Sequence, residues 1–128
     1  MQQETVTIIL PTYEEVDSLP SLIDAVSDVR NKSLNNLQLI IVDDNSDDGT
    51  ESLISEKNIP WVRLIVRRDE KGLSTAVIRG LQEAESEFCI VMDADGSHPA
   101  SAIPSMVNAL VEGADFTVGS RYILGGTT

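Results

Sequence analysis

The segment Phe88-Cys-Ile-Val-Met-Asp-Ala-Asp-Gly96 joins an apolar run to two acids that stand one residue apart. A short apolar run such as Phe88 to Met92 is typical of a strand buried in a parallel sheet. Ligands of open parallel sheets bind beyond the carboxyl ends of the strands, so Asp93 and Asp95 are expected beside a ligand. Two carboxylates in this pattern can share a hard cation such as Mg²⁺ or Mn²⁺, which leaves part of its shell to substrate phosphates. The alternative is that the acids only end the strand.

The residues after the acids indicate a turn and the start of a helix. Gly96 allows a sharp turn of the backbone. Ser97 is a plausible helix cap, and Pro99 suits the first helical turn. His98, the only histidine, is expected to support the site or the helix start rather than to bind the metal.

Strand-like and helix-like segments alternate along the rest of the chain. The expected strands are Val6 to Leu10, Leu37 to Val42, Trp61 to Val66, Phe88 to Met92 and Phe116 to Gly119. Four helices are expected: one that starts near Ser18, a short one through Leu53 and Ile54, one from Leu73 to Ala84 and one from Ile103 to Val111. This alternation predicts an α/β fold with a parallel sheet of at least five strands and right-handed crossovers. The polar clusters that follow the strands should therefore meet at one edge of the sheet.

The composition limits the classes of partner. The chain has 128 residues, which suits one domain, and 41% of them are hydrophobic. A net charge of −12 argues against nucleic acid as a partner and against unaided binding to anionic lipid. No apolar run approaches the roughly 20 residues of a membrane helix, and the polar start Met1-Gln-Gln-Glu4 is not expected to be a secretory leader. Cys89 is the only cysteine, so the expected compartment is the cytoplasm.

Four further groups of residues suit parts of a nucleotide. Asp43 and Asp44 close the second strand, where a carboxylate can accept hydrogen bonds from a nucleobase or a ribose, although Asp43, Ser46 or Asp47 could instead cap the next helix. Glu15 after the first strand could act in the same way or only favour a helix start. Two clusters suit phosphate: the segment Lys71-Gly-Leu-Ser74 opens a helix, and Arg121 follows the fifth strand. A solvated basic loop and a surface arginine are the alternatives.

These segments resemble the inverting glycosyltransferases of family 2, with the GT-A fold, and most closely the dolichyl-phosphate (polyprenyl-phosphate) mannosyltransferases. The matching segments occur in the order of the family and cover nearly the whole chain. They are Pro11-Thr-Tyr-Glu-Glu15, Val42-Asp-Asp-Asn-Ser-Asp-Asp-Gly-Thr50, Lys71-Gly-Leu-Ser74, Asp93-Ala-Asp-Gly-Ser-His-Pro99 and Val118-Gly-Ser-Arg-Tyr122 with Gly125-Gly126. The resemblance implies a Rossmann-like three-layer α/β/α architecture.

The resemblance also implies roles for single residues. The nucleotide pocket would be formed by Pro11, Tyr13, Glu15, Asp43, Asp44, Lys71, Gly72 and Asp93. Asp95 would be the chief ligand of Mg²⁺ or Mn²⁺, with Asp93 helping, and Ser120 and Arg121 would lie near the acceptor phosphate. Asp93, Asp95 and Arg121 are thus the expected catalytic residues. The sequence departs from the family at Glu14, where Asn is frequent, and at Ser97, where many relatives have Gln beside the metal.

The implied reaction transfers mannose from GDP-mannose to a polyprenyl phosphate with inversion at the anomeric carbon. Residues 1–128 would form the domain that binds the nucleotide sugar, without a C-terminal acceptor or membrane part. The protein would be cytoplasmic or peripheral to the cytoplasmic face of a membrane, which it would meet only through the lipid acceptor or through further segments.

Other functions remain open from the sequence alone. Within the class, the donor could be UDP-glucose or another nucleotide sugar. A nucleotide-binding module without turnover is a second alternative. A phospho-receiver signalling domain is also acidic, of this length and five-stranded, but it carries its acid pair after strand 1 and a lysine after strand 5.

Overall fold

The computed structural model describes residues 5–32, 36–46, 48–68, 72–86, 88–92, 103–105, 107 and 117–119. Its strands are β1 (Val6–Thr12), β2 (Leu37–Asp43), β3 (Val62–Val66), β4 (Phe88–Met92) and β5 (Thr117–Gly119). Its helices are α1 (Leu19–Lys32), α2 (Thr50–Lys57) and α3 (Leu73–Glu83). Residues 103–105 and 107 also have helical backbone, which agrees with part of the fourth expected helix.

The five strands form one sheet in the order β3-β2-β1-β4-β5, and every neighbouring pair is parallel. The expectation of a parallel sheet with at least five strands is confirmed. The order also separates this chain from the phospho-receiver alternative, because flavodoxin-like domains have the order 2-1-3-4-5. The carboxyl ends of the strands therefore share one edge, which we call the carboxyl edge.

Helices cover both faces of the sheet. On one face, Ile8, Leu39 and Ile90 belong to a buried cluster with residues of α1, with Ile54 of α2 and with Ile103. On the other face, Ile9, Val42 and Val91 pack with Ala76 of α3. Successive strand residues thus enter opposite clusters, as the two-residue period of a strand requires. The architecture is the three-layer α/β/α arrangement that the resemblance implies.

Helix α3 lies very close to the sheet at Gly80. A Cβ atom added to Gly80 would lie 2.5 Å from Cγ2 of Ile9, whose side chain is fully buried. The spacing of apolar residues from Leu73 to Ala84 would place Leu73 on the buried face of the helix, but Leu73 is 55% exposed. Leu73 is the first residue of α3, so it lies at the sheet edge, beyond the part of the helix that covers the sheet.

We expect Gly80→Ala to lower the free energy of unfolding by about 1–2 kcal/mol. Overpacking costs about 1–3 kcal/mol, and the better helix propensity of alanine returns up to about 1 kcal/mol. Urea denaturation measures the change, and Ile78→Ala on the exposed side of α3 is the control. In an Ile9→Ala background the clash is absent, so Gly80→Ala should there be neutral or stabilising. An equal loss in both backgrounds would contradict the close approach.

Candidate functional site

The order in which strands are added to the sheet reverses at β1. It runs outward from β1 through β2 to β3, then crosses back to place β4 on the other side of β1. In open α/β sheets the crevice at such a switch point is the usual ligand site. Here it lies between the ends of β1 and β4, at Thr12 and Met92. The segments that follow these strands are the ones in which the sequence predicts the site.

Three predicted pocket residues follow or end β1. Pro11 is half-buried within the strand, and Tyr13 just beyond it is 50% exposed. Glu15 is half-buried, and its carbonyl accepts hydrogen bonds from the amides of Ser18 and Leu19 at 3.0 and 3.1 Å. The backbone of Glu15 therefore initiates α1, and the exposed ring of Tyr13 is presented at the carboxyl edge.

The buried carboxylate of Asp43 joins β1 to the turn after β2. The hydroxyl of Thr12 donates to its Oδ1 at 2.6 Å, and the amide of Ser46 donates to its Oδ2 at 2.8 Å. The hydroxyl of Ser46 also donates to Oδ1, at 2.8 Å. Asp43 thus supports the shape of the site from below, with both oxygens bonded inside the chain.

The expectation that Ser46 caps the second helix is wrong. Helix α2 begins at Thr50, after Gly49 at φ 94°, with no side-chain hydrogen bond at the cap. Asp48 orders this entry instead, because its Oδ1 accepts from the amide and the hydroxyl of Thr50 at 3.2 and 2.7 Å. Because the backbone is left-handed at Gly49, the loop continues to that residue and α2 starts later than a cap at Ser46 would place it. Asp47, the other expected cap, lies outside the described residues.

Two loops at the carboxyl edge are joined by hydrogen bonds. The amide of Glu14 donates to the hydroxyl of Ser46 at 2.6 Å, and the amide of Val16 donates to Oδ2 of Asp48 at 3.3 Å. Glu14 has φ 55°, a left-handed conformation that Asn adopts more readily than Glu. This geometry would suit the Asn that the resemblance implies at this position better than it suits Glu.

Arg67 is the residue at this edge that the sequence interpretation missed. It follows β3, and its side chain is only 2% exposed. Its Nε donates to Oδ1 of Asp44 at 2.7 Å, its Nη1 to the hydroxyl of Thr75 at 2.7 Å, and its Nη2 to the carbonyl of Gly72 at 2.9 Å. The sequence did contain a signal: Arg67 directly follows β3, and the neighbouring strand β2 is followed by the acid Asp44.

Gly72 is held by the same group of residues. Its amide donates to Oδ2 of Asp44 at 2.9 Å, and its φ of 117° with ψ of 147° suits glycine almost alone. The amide that was expected to face a phosphate is therefore used inside the chain. Asp44, Arg67 and Gly72 together fix the start of α3 against the ends of β2 and β3.

Asp48 should make stability depend on pH in a defined range. Slight burial raises its pKa, but the hydrogen bonds from Thr50 and Val16 outweigh this and lower the pKa of Asp48. A carboxyl whose pKa is lower in the folded chain stabilises it fully above the unfolded pKa and loses this effect as the pH falls through the folded value. The effect should therefore begin to fall near pH 4 and be lost only as the pH drops through the lower pKa of the folded chain.

We expect Asp48→Ala to lower the free energy of unfolding by about 1 kcal/mol at pH 7, because the loop loses its hydrogen bonds. The loss should shrink as the pH is lowered from 5 to 3 in urea denaturation. Asp17→Ala, at an exposed acid of the neighbouring turn, is the control. A loss that is constant over this pH range would contradict a role for the ionised carboxylate.

The remaining predicted site residues lie outside the described part of the chain. They are Lys71, Asp93, Asp95, Ser97, His98, Ser120 and Arg121. Among the described residues, no group of three or more His, Cys, Asp or Glu side chains could hold a metal ion. No helix within these same residues is long and apolar enough to cross a membrane.

A separate cavity of about 410 Å³ lies at the opposite, amino-terminal edge of the sheet. Thr5, Gln38 and Arg63 contribute to its lining, together with Trp61. It contains none of the predicted site residues that the structure describes. This cavity is therefore distinct from the carboxyl edge, where the described polar residues of the predicted site lie.

Comparison with known proteins identifies the family of the chain. Residues 7–128 match the family described as Glycosyl transferase family 2. The dolichol-phosphate mannosyltransferase of Pyrococcus furiosus is 40% identical over 122 residues, which cover 94% of this chain and 34% of that protein. The enzyme of the same name from Saccharomyces cerevisiae is 36% identical over 122 residues, covering 93% of this chain and 45% of that protein. The chain thus spans less than half the length of these curated relatives.

A solved structure has the same fold. The mannosyltransferase from Pyrobaculum calidifontis, in complex with GDP-Man and Mn²⁺, superposes with a TM-score of 0.75 at 24% identity. The match covers 89% of this chain and 34% of that one. Staphylococcus aureus TarS, in complex with UDP-GlcNAc, superposes with a TM-score of 0.70 at 19% identity, over 84% of this chain and 31% of that one. The parallel sheet, the polar carboxyl edge and the match over residues 7–128 together show that this chain belongs to glycosyl transferase family 2, with the GT-A fold.

Proposed function

We propose that the protein transfers mannose from GDP-mannose to a polyprenyl phosphate, such as dolichyl phosphate, with inversion at the anomeric carbon. The observation that carries the proposal is the 40% identity to a dolichol-phosphate mannosyltransferase over 94% of the chain. The mannosyltransferase structure with GDP-Man and Mn²⁺ supports the choice of donor, because it shares the fold at a TM-score of 0.75.

The donor nucleoside would lie against the ends of β1 and β2. Tyr13 offers an exposed ring for stacking, and Pro11 and Glu15 flank it. Asp44 offers a carboxylate oxygen at the end of β2, while Asp43 supports the loop. Lys71 and the amino end of α3, held in place by Gly72, would face the phosphates.

Asp93 and Asp95 would hold Mg²⁺ or Mn²⁺ against the donor diphosphate. Strand β4 ends at the buried Met92 beside β1, so the Asp-x-Asp segment starts at the switch point of the sheet. Carboxylate oxygens are the ligands that these cations prefer, and the donor set therefore fits the metal. When bound, the metal would neutralise the charge of the departing diphosphate.

The acceptor phosphate would contact Ser120 and Arg121, which follow β5. A phosphate monoester is already anionic at neutral pH, so the chain needs no strong general base to activate it. Arg121 can hold a phosphate through two parallel hydrogen bonds. Catalysis would then depend on the alignment of the two substrates and on the stabilisation of developing charge.

The lipid acceptor defines where the reaction occurs. We propose the cytoplasmic face of a membrane, because a polyprenyl phosphate resides in a bilayer and the single cysteine suits a reducing compartment. Contact with the membrane would occur through the acceptor or through segments beyond residue 128. No nucleic acid is a proposed partner, given the net charge of −12.

Calorimetric titration with GDP, UDP and GDP-mannose, with and without Mn²⁺, tests the donor. We expect GDP and GDP-mannose to bind more tightly than UDP and to gain affinity from Mn²⁺. Tighter binding of UDP would favour the alternative donors, and an absence of binding would refute the proposal. Transfer of labelled mannose to a short-chain polyprenyl phosphate tests turnover, and donor binding without transfer would favour a binding module.

A further inference from the structure

The carboxylate of Asp44 is bonded unequally at its two oxygens. Nε and Nη2 of Arg67 lie 2.7 and 2.5 Å from Oδ1. The amide of Gly72 is 2.9 Å from Oδ2. The Asp44 side chain is 13% exposed, against 2% for Arg67, so a small part of this carboxylate still reaches the surface.

The number of hydrogen bonds that remain for a ligand follows from the lone pairs. Each oxygen of an ionised carboxylate has about two acceptor positions. Oδ1 accepts a hydrogen bond from Nε of Arg67 and is also in ion-pair contact with Nη2, so the guanidinium covers this oxygen. One position of Oδ2 accepts from the amide of Gly72. Within the described residues, one acceptor position on Oδ2 is therefore left open.

We infer that Arg67 and Gly72 restrict Asp44 to a single hydrogen bond with the nucleoside, so that Asp44 does not distinguish guanine from a purine that lacks the exocyclic amine. This inference rests on the proposed function, in which Asp44 contacts the donor nucleoside. It adds Arg67 as the residue that determines what Asp44 can recognise.

The restriction bears directly on the choice of base. A carboxylate that binds guanine through both oxygens accepts one hydrogen bond from the ring N–H and one from the exocyclic amine. This pair of bonds selects guanine over bases that lack the amine. Counting the described residues, Arg67 covers Oδ1 of Asp44 and one position of Oδ2 is left for a ligand donor, either a ring N–H or a ribose hydroxyl. Guanine and uracil both carry a ring N–H, so the choice between them must be made by other residues.

Calorimetric titration of the unmodified chain and of Asp44→Asn with GDP and IDP tests the inference, because IDP lacks only the exocyclic amine. We expect Asp44→Asn to weaken both nucleotides by the same factor, roughly 10-fold. The ratio of GDP affinity to IDP affinity should therefore be unchanged by the substitution. A ratio that falls in the variant by threefold or more would show a two-oxygen contact and overturn the inference.

Two other outcomes are also decisive. If Asp44→Asn leaves the affinity for both GDP and IDP unchanged, Asp44 does not contact the nucleoside and the inference is wrong. The proposed function would still be supported, because the unmodified chain binds GDP. No binding of GDP or IDP to the unmodified chain would overturn the proposed function and this inference with it. Circular dichroism and a thermal melt establish that Asp44→Asn is folded.

A crystal structure of the unmodified chain with GDP decides the question if Asp44→Asn does not fold. We expect one ligand donor within about 3.2 Å of Oδ2 of Asp44 and none at that distance from Oδ1. The guanidinium of Arg67 should keep its place on Oδ1. A guanine whose ring N–H and amine both reach Asp44 would overturn the inference.

Discussion

Replacing Arg67 by methionine is expected to lower the free energy of unfolding by about 3–5 kcal/mol. The substitution keeps most of the apolar volume but removes every hydrogen bond that Arg67 makes to Asp44, Gly72 and Thr75. It leaves the carboxylate of Asp44 buried without its cation, and an uncompensated buried charge is among the costliest defects in a protein interior. Urea denaturation measures the loss.

Arg63→Met is the matched control for this effect. Arg63 also bonds a carboxylate at close range, with Nη2 2.6 Å from Oε1 of Glu83, but its side chain is 56% exposed. Water screens such a pair, so we expect little measurable loss. In Arg67→Met with Asp44→Asn both charges are gone, and part of the stability should return. Equal losses for Arg67→Met and Arg63→Met would contradict the importance of burial.

Replacing Asp95 by alanine is expected to abolish the gain in GDP affinity that Mn²⁺ confers. Residues that only orient metal ligands already contribute about 10–100-fold to metal affinity, so a chief ligand should contribute at least about 100-fold. The fold should persist, because β4 ends at Met92, before Asp95 in the sequence. Titrations with GDP at several Mn²⁺ concentrations measure the effect.

Asp24→Ala provides the control for Asp95→Ala. It removes one negative charge from the exposed side of α1 and so separates the loss of a ligand from the change in net charge. We expect Asp24→Ala to retain the full metal dependence of GDP affinity. Retention of that dependence in Asp95→Ala would rule out Asp95 as a metal ligand.

The strands could be predicted closely because their signal is local. The apolar run from Phe88 to Met92 coincides with β4, and β2 differs from its prediction only by Asp43 at its end. β-Branched and apolar residues in short runs, bounded by polar segments, are enough to identify buried strands. The parallel arrangement followed from the alternation with helices, which allows few topologies.

The partners at the carboxyl edge could not be predicted in the same way. Arg67 and Asp44 are separated by 23 residues, and the sequence offers no register between the loops that carry them. In the sequence, Arg67 is only the first residue of a charged loop that ends at Gly72, and nothing in that pattern indicates burial. Burial decides whether such a charge is structural, and burial depends on the docking of α3 against the sheet.

The loop after β2 illustrates a second limit. Its polar residues all have the chemistry of helix caps, so Asp43, Ser46 and Asp47 were equivalent candidates. In the structure, Asp43 stabilises the turn through the amide of Ser46, and Asp48 stabilises the start of α2 through Thr50. The choice depends on the left-handed backbone at Asn45 and Gly49, which composition alone does not locate.

The position of β1 in the sheet has a consequence for how the chain folds during synthesis. Val6 pairs with Leu37 on one side and with Phe88 on the other, and the second pairing closes a separation of 88 − 6 = 82 residues. Such non-local pairing slows folding, because a long loop must close before the contact forms. Until β4 leaves the ribosome, one hydrogen-bonding edge of the apolar strand β1 is open to other chains. We therefore expect nascent chains that stop before Phe88 to require chaperones and to aggregate in their absence.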